Sequence, residues 1–243
     1  RVLNRSKELF QAGVVLPVWG TCLGFEWLIA SVAPDSLEVG FKSYNISLPL
    51  HPRLDAAPTS RLLGSAPLDI YEAMTLRNNT FNSHHRGISP ARWAQFPSLD
   101  KTFQVLSTSF DLDGKEFVSV VEGVGGLPWF AVQWHPEKNT FEHGRNPDGT
   151  PFEAIPHSRE AVAVEEYVAN FFVDQARKNS HKFANSSEEA IRLVYGLQTS
   201  NKLGPAFQEV YVLNYPAQAG SISSQQQQDA ADLESLFSPA VLI

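Results

Sequence analysis

Two short apolar runs, at 14–19 and 129–134, are nearly unbroken, whereas most of the chain between and after them alternates or is interrupted by proline and glycine. Runs of that length bounded by turn signals are the mark of buried strands. The first comprises Val14-Val15-Leu16 and Val18-Trp19; it ends in Gly20-Thr21-Cys22-Leu23-Gly24, and residues 25–32 then read as the first turns of a helix. The second, Trp129-Phe130-Ala131-Val132-Gln133-Trp134, stops at His135-Pro136-Glu137, because proline ends regular pairing. Together they predict an α/β domain with functional groups at the strand ends.

The remaining pattern fills in this outline. Residues 36–50 alternate and are broken by Pro49, Pro52 and Pro58, which predicts strands with irregular connections. Alternating runs at 103–110 and 116–122 flank Asp111-Leu112-Asp113-Gly114-Lys115 and predict a hairpin. Asp111-x-Asp113-Gly114 lacks the further acidic ligands of a calcium loop, so a turn is expected there. Residues 1–12 read as a helix closed by Gly13. A longer amphipathic helix is expected over 161–178, with Val164, Val168, Phe171, Phe172 and Ala176 on its apolar face and Arg177 and Lys178 in its last turn.

Cys22 is the only cysteine among 243 residues and falls at the bend. A turn that sharp calls for residues without a Cβ on either side, which assigns Gly20 and Gly24 a mechanical role. The bend pushes the thiol out of the sheet to a helix N-terminus, where the partial positive charge of unpaired N–H groups favours the thiolate. His135 stands at the end of the second strand. In an extended segment Glu137 would share its side. Nucleophile, base and orienting carboxylate thus occur in the order Cys22, His135, Glu137. The Leu23 N–H, at the helix start, is the expected oxyanion donor.

Trp19-Gly20-Thr21-Cys22-Leu23-Gly24-Phe25-Glu26 and Val132-Gln133-Trp134-His135-Pro136-Glu137-Lys138 resemble the gamma-glutamyl hydrolases of the class I glutamine amidotransferase-like superfamily. The Gly-x-Cys-x-Gly and His-Pro-Glu elements are superfamily-wide. The narrower resemblance rests on their flanks and on Phe171-Phe172-Val173-Asp174-Gln175-Ala176-Arg177-Lys178-Asn179, with Val210-Tyr211-Val212-Leu213 a weaker match. It implies a flavodoxin-like three-layer α/β/α fold around a parallel sheet, cleavage of folylpoly-γ-glutamates through a thioester, and no cofactor or metal. By the same resemblance Glu26 and Leu23 line the substrate site. His84, within Asn82-Ser83-His84-His85-Arg86-Gly87, is the substrate-site histidine, and His85 is one residue out of register. Adjacent histidines in a strand point to opposite faces, which argues against joint metal ligation. A glutaminase subunit of an amidotransferase, or a truncated inactive homologue, would carry the same elements.

The family's domain begins well before its cysteine, so residues 1–215 are expected to be a partial domain lacking strands beside the first strand. Residues 216–243, with Gln225-Gln226-Gln227-Gln228, are low in complexity and expected to be disordered. A hydrophobic fraction of 43% suffices for a core, and no run is long and apolar enough for a membrane span. A net charge of −7 without a basic face argues against nucleic acid. An anionic polyglutamate then needs a local basic pocket. A homodimer is left open. Sequons at Asn4, Asn45, Asn78 and Asn185 would accept glycans in a secretory route, where a single thiol without a disulfide calls for a use; the resemblance implies the lysosome, vacuole or extracellular space.

Overall fold

A computed structural model describes residues 1–200 and 205–211. The expected disordered tail at 216–243 and the end of the strand at Val212-Leu213 lie outside the described residues. Helix α1 (Val2–Gln11) is closed by Gly13 at φ +76°, and β1 (Val18–Thr21) leads through Cys22 into α2 (Leu23–Val32). There follow β2 (Glu38–Leu48), β3 (His51–Pro52), α3 (Leu68–Thr75), β4 (Thr80–Gly87), and the single turns α4 (Pro90–Trp93) and α5 (Pro97–Asp100). The hairpin of β5 (Phe103–Phe110) and β6 (Glu116–Gly123) precedes β7 (Trp129–Val132), α6 (Lys138–Phe141) and α7 (Arg159–Ala176). Helix α8 (Ser186–Arg192) and the short pair β8 (Thr199–Ser200) and β9 (Val210–Tyr211) come last.

The main sheet has the order β1-β7-β6-β5-β3. Its parallel character is confined to β1 and β7, paired from Val18↔Trp129 to Thr21↔Val132; the other neighbours run antiparallel. That departs from the parallel sheet expected, because β5, β6 and β7 are joined by tight connections that return the chain beside itself. Among the described residues β1 is an edge strand. Strand β7 explains the unbroken run: Phe130 and Val132 pack with Leu106, Val120, Met74 of α3 and Val164, Val168 and Phe171 of α7. Trp129 and Ala131 pack on the opposite face with Val118, Val121 and Phe25, Leu28 and Ile29 of α2. The sheet therefore lies between two layers of helix, and a strand covered on both faces has no polar face to display.

The β5–β6 hairpin forms as its turn chemistry dictates. Asp111 accepts backbone N–H bonds from Asp113 (2.9 Å), Lys115 (2.8 Å) and Lys42 (2.8 Å), so its carboxylate holds the turn and ties it to β2. In α7 the buried positions are Ala161, Val164, Val168, Phe171 and Gln175; Ala176 is exposed, because it lies about 100° around the helix from Gln175 and off the buried stripe, and Arg177 lies beyond the last turn. Phe172 is half-buried against Trp19 of β1, with ring centroids 5.7 Å apart. Strands β2 and β4 pair antiparallel as a separate ribbon, and it is β4 that passes over the end of β7. The His135 N–H donates to the Phe81 carbonyl at 2.8 Å.

Candidate active site

The bend at Cys22 is strained. Its φ of 48° and ψ of −102° lie in a region that side-chain-bearing residues seldom occupy, and such conformations persist only where the surroundings enforce them. Two features do so here. The Cys22 N–H continues the β1–β7 ladder by donating to the Val132 carbonyl at 2.9 Å, and the Cys22 carbonyl accepts the Glu26 N–H at 3.0 Å to start α2. Strand and helix then approach so closely that a Cβ on Gly20 would stand 2.6 Å from the backbone of Gly24 and 2.9 Å from Leu28.

Only one of the two flanking glycines is demanded by this packing. A Cβ at Gly24 would meet nothing within 4 Å, so the expectation that both relieve crowding holds for Gly20 alone. Gly20→Ala is expected to cost about 3 kcal/mol, at the upper end of overpacking penalties because backbone cannot move aside. That corresponds to a fall in melting temperature of roughly 6–12 °C for a chain of this size. Gly24→Ala should leave the melt nearly unchanged, and equal shifts for the two would show that the close approach is not the cause.

His135 and Glu137 meet through a turn rather than an extended segment. Strand β7 ends at Val132, two residues before the apolar run does, and Pro136 and Glu137 form a turn that brings Glu137 Oε1 to 2.8 Å from His135 Nδ1. That bond engages Nδ1 and leaves Nε2 for the Cys22 side. Burial works against charge on the His135 ring, but hydrogen bonds and charge from Cys22 and Glu137 outweigh it and raise its pKa to about 10. The ring side chain is 17% exposed, whereas that of Glu137 is 50% exposed. Leu23 is the first residue of α2, so its N–H has no intrahelical acceptor.

A second group of side chains lies behind the sulfur, and one of them, Gln133, was not singled out by the sequence. Gln133, fully buried, places Nε2 at 3.9 Å from Cys22 Sγ and 3.4 Å from Glu26 Oε1, while its Oε1 has no partner among the described residues. Glu26 is buried one helical turn beyond Cys22, with Arg86 Nε at 3.6 Å from its other oxygen. Burial pushes the Glu26 carboxyl above the usual carboxylate range, against the opposing charge of Arg86 and the Gln133 hydrogen bond. The parallel β1–β7 pair was the signal available for Gln133: a residue just after β7 falls beside the residue just after β1.

His84 faces inward from β4, 5% exposed, with its ring edge-on to Phe117 at 4.9 Å, while His85 on the other face is exposed and stacks on Tyr44 at 5.3 Å. The Nδ1–H of His84 donates to the Arg86 carbonyl at 2.7 Å, and Nε2 lies 3.3 Å from Asn82 Oδ1. Burial lowers its pKa to about 3, with the Arg86 carbonyl opposing and the charge of His135 contributing. His84 is thus neutral and belongs to the wall beside His135, packed too deep to present most of its surface to solvent.

A neutral histidine in the folded state has a consequence for stability. The unfolded chain takes up a proton near pH 6.5 that native His84 refuses until about pH 3, so stability falls as pH drops below 6.5. His135 acts in the other sense: its raised pKa stabilises fully below 6.5 and is lost as pH rises toward 10, so it adds no loss between pH 7 and 5. His84 alone should therefore lower stability by about 2 kcal/mol between pH 7 and pH 5. Urea midpoints for the wild type and His84→Gln at the two pH values test this; an identical drop in both would exclude a neutral buried ring as its source.

No family model matches the chain. It is 37% identical over 215 residues to a gamma-glutamyl hydrolase of Mus musculus and 35% identical over 215 residues to one of Homo sapiens, covering 87% of this chain and 64% of each relative. Gamma-glutamyl hydrolase B of Dictyostelium discoideum is 32% identical over 205 residues, covering 83% of this chain and 56% of that protein. Among solved structures, a putative GMP synthase component from Thermoplasma acidophilum aligns over 72% of this chain and 64% of its own, at 13% identity and a TM-score of 0.38, and the fold assignment rests on the sheet itself instead. Identities of 35–37% over 87% of its length make this chain a homologue of the gamma-glutamyl hydrolases, spanning about 64% of the length of the mammalian relatives it matches.

Proposed function

We propose that the chain carries the catalytic centre of a hydrolase that cleaves the amide between a γ-carboxyl and the next glutamate of folylpoly-γ-glutamates. The observation that supports this most is the unbroken line from Glu137 through His135 to Cys22 at the end of the one parallel strand pair among the described residues. With the proton on His135, the sulfur of Cys22 adds to the amide carbonyl, and the oxyanion takes a hydrogen bond from the Leu23 N–H. His135 passes its proton to the leaving amine as the C–N bond breaks, and a γ-glutamyl thioester remains on Cys22. Water then attacks the thioester carbonyl while His135 accepts its proton; the C–S bond breaks and the free γ-carboxylate departs. Glu137 holds the ring and offsets its charge throughout.

The test offers a pteroyl tri-γ-glutamate and free glutamine to the purified chain, with chromatographic detection of released glutamate and of ammonia. Glutamate from the oligomer, without ammonia from glutamine, supports the hydrolase. Ammonia from glutamine as the main product would replace it with a glutaminase. Quenching during turnover should trap a Cys22 adduct that hydroxylamine removes, as a thioester requires.

A secretory destination, the lysosome, vacuole or extracellular space, is part of the same proposal. Its support is that Asn4, Asn45, Asn78 and Asn185 are all exposed. Material from a secretory host should lose mass on treatment with a peptide N-glycosidase, and an unchanged mass would remove that support.

A further inference from the structure

A chain with a net charge of −7 that handles a polyanion needs a cation near the reacting carbon, and most cations around this end of the sheet are already engaged. Lys138 is buried with Nζ at 2.5 Å from Glu153; Lys42 pairs with Asp113 at 2.8 Å. Arg86 differs. Its guanidinium makes no hydrogen bond to any described residue, its side chain is 41% exposed, and its one charge partner among those residues, Glu26 at 3.6 Å, lies beyond hydrogen-bonding distance and is itself buried. A planar fork with its donors free, held in place from behind by a buried carboxylate, matches the two oxygens of a carboxylate ligand.

Its position ties it to the reaction. In β4 residues two apart share a face, so Arg86 lies on the face of His84, whose charge environment includes His135. From the other side Arg86 reaches the nucleophile through two side chains only, Glu26 and Gln133, the latter 3.9 Å from Cys22 Sγ. In a γ-linked glutamyl group the free α-carboxylate is four bonds from the scissile carbonyl carbon, an extended reach of about 5 Å. Beyond Gly24, at the mouth of the bend, the space is open.

We propose that Arg86 is a specificity-determining residue that binds the α-carboxylate of the glutamyl residue whose γ-carbonyl is attacked. This rests on the γ-glutamyl reading above and adds the group that recognises the substrate's charge. Glu26 tunes the site by holding Arg86 in place without occupying its donors.

The test is made on the Cys22→Ala chain, so that binding is measured without turnover. Penta-γ-glutamate and its counterpart with every α-carboxylate amidated are titrated by calorimetry into Cys22→Ala, and into the same chain carrying Arg86→Gln or Arg86→Lys. Arg86→Gln should weaken the free-acid oligomer by about 10- to 100-fold and leave the amidated one unchanged, with Arg86→Lys between, since it keeps the charge and loses the fork. Equal affinities with and without Arg86, or equal losses for both ligands, would overturn the proposal. Should Arg86→Gln lose its cooperative melt, the comparison stands on Arg86→Lys and on the parent chain, where equal binding of acid and amide would overturn it, as would no binding of either. If the wild type binds through Arg86 and cleaves nothing, the hydrolase reading falls while this one stands.

Discussion

Cys22→Ala is expected to abolish γ-glutamyl hydrolysis, with a loss of at least about 10⁴-fold, while the chain folds as before. In the proposed mechanism the sulfur supplies the bond that carries the acyl group, and no other side chain at the bend can replace it. Its structural contribution is small: the strained backbone at φ 48° is held by the Val132 and Glu26 hydrogen bonds and by the absence of a Cβ at Gly20, none of which involves Sγ. Alanine at that φ carries the same kind of steric cost as cysteine. Iodoacetamide gives a second readout, because a single cysteine makes every adduct assignable. Fast labelling near neutral pH is expected. Turnover retained by the alanine variant would discard Cys22 as nucleophile whatever the labelling rate.

The next largest effect is expected at His135. His135→Ala should lower kcat/KM by roughly a thousandfold or more, and Glu137→Ala by clearly less, because in the proposed mechanism the ring moves protons in both halves of the reaction whereas the carboxylate orients and stabilises it. The structure favours this ranking. Glu137 is 50% exposed, so water can take its place at Nδ1, while the ring itself is largely buried between Cys22 and Glu137. With its pKa raised to about 10, His135 is a cation throughout the neutral range, and its removal should also slow alkylation of Cys22 at pH 7 by about tenfold. Losses of equal size for the two variants would mean that Glu137 does more than orient.

The elements that carry this site were legible where local chemistry is sufficient. The elbow at residues 20–24, the end of the apolar run at His135-Pro136-Glu137, the Asp111 to Lys115 turn and the helix closed by Gly13 each follow from backbone sterics or hydrogen-bonding demands within a few residues. The alternation across His84 and His85 gave one inward and one outward ring. The places where periodicity misled are equally local in origin. Ala176 lies beside the buried stripe that ends on Gln175 rather than on it, and the apolar Trp134 continues past the last β-pairing of β7 because it is buried by the helix layer rather than by the ladder.

What the sequence determined by itself was the candidate groups and the kind of segment each sits on: a cysteine in a strand-to-helix bend, a histidine and a glutamate at a strand's end, and an α/β chain to hold them. Only the tertiary structure decided their company. Pairing β1 parallel to β7 sets Cys22 beside Gln133, passing β4 over the end of β7 brings His84 and Arg86 to the same place, and α2 carries Glu26 between Arg86 and Gln133. These contacts join residues 54 positions apart, as Phe81 and His135, to 111 positions apart, as Cys22 and Gln133. The physical reason is one of range: torsional and hydrogen-bond preferences act over a few residues, whereas the burial that selects which strands and helices meet is non-directional and leaves no short-range pattern for a polar side chain held between them.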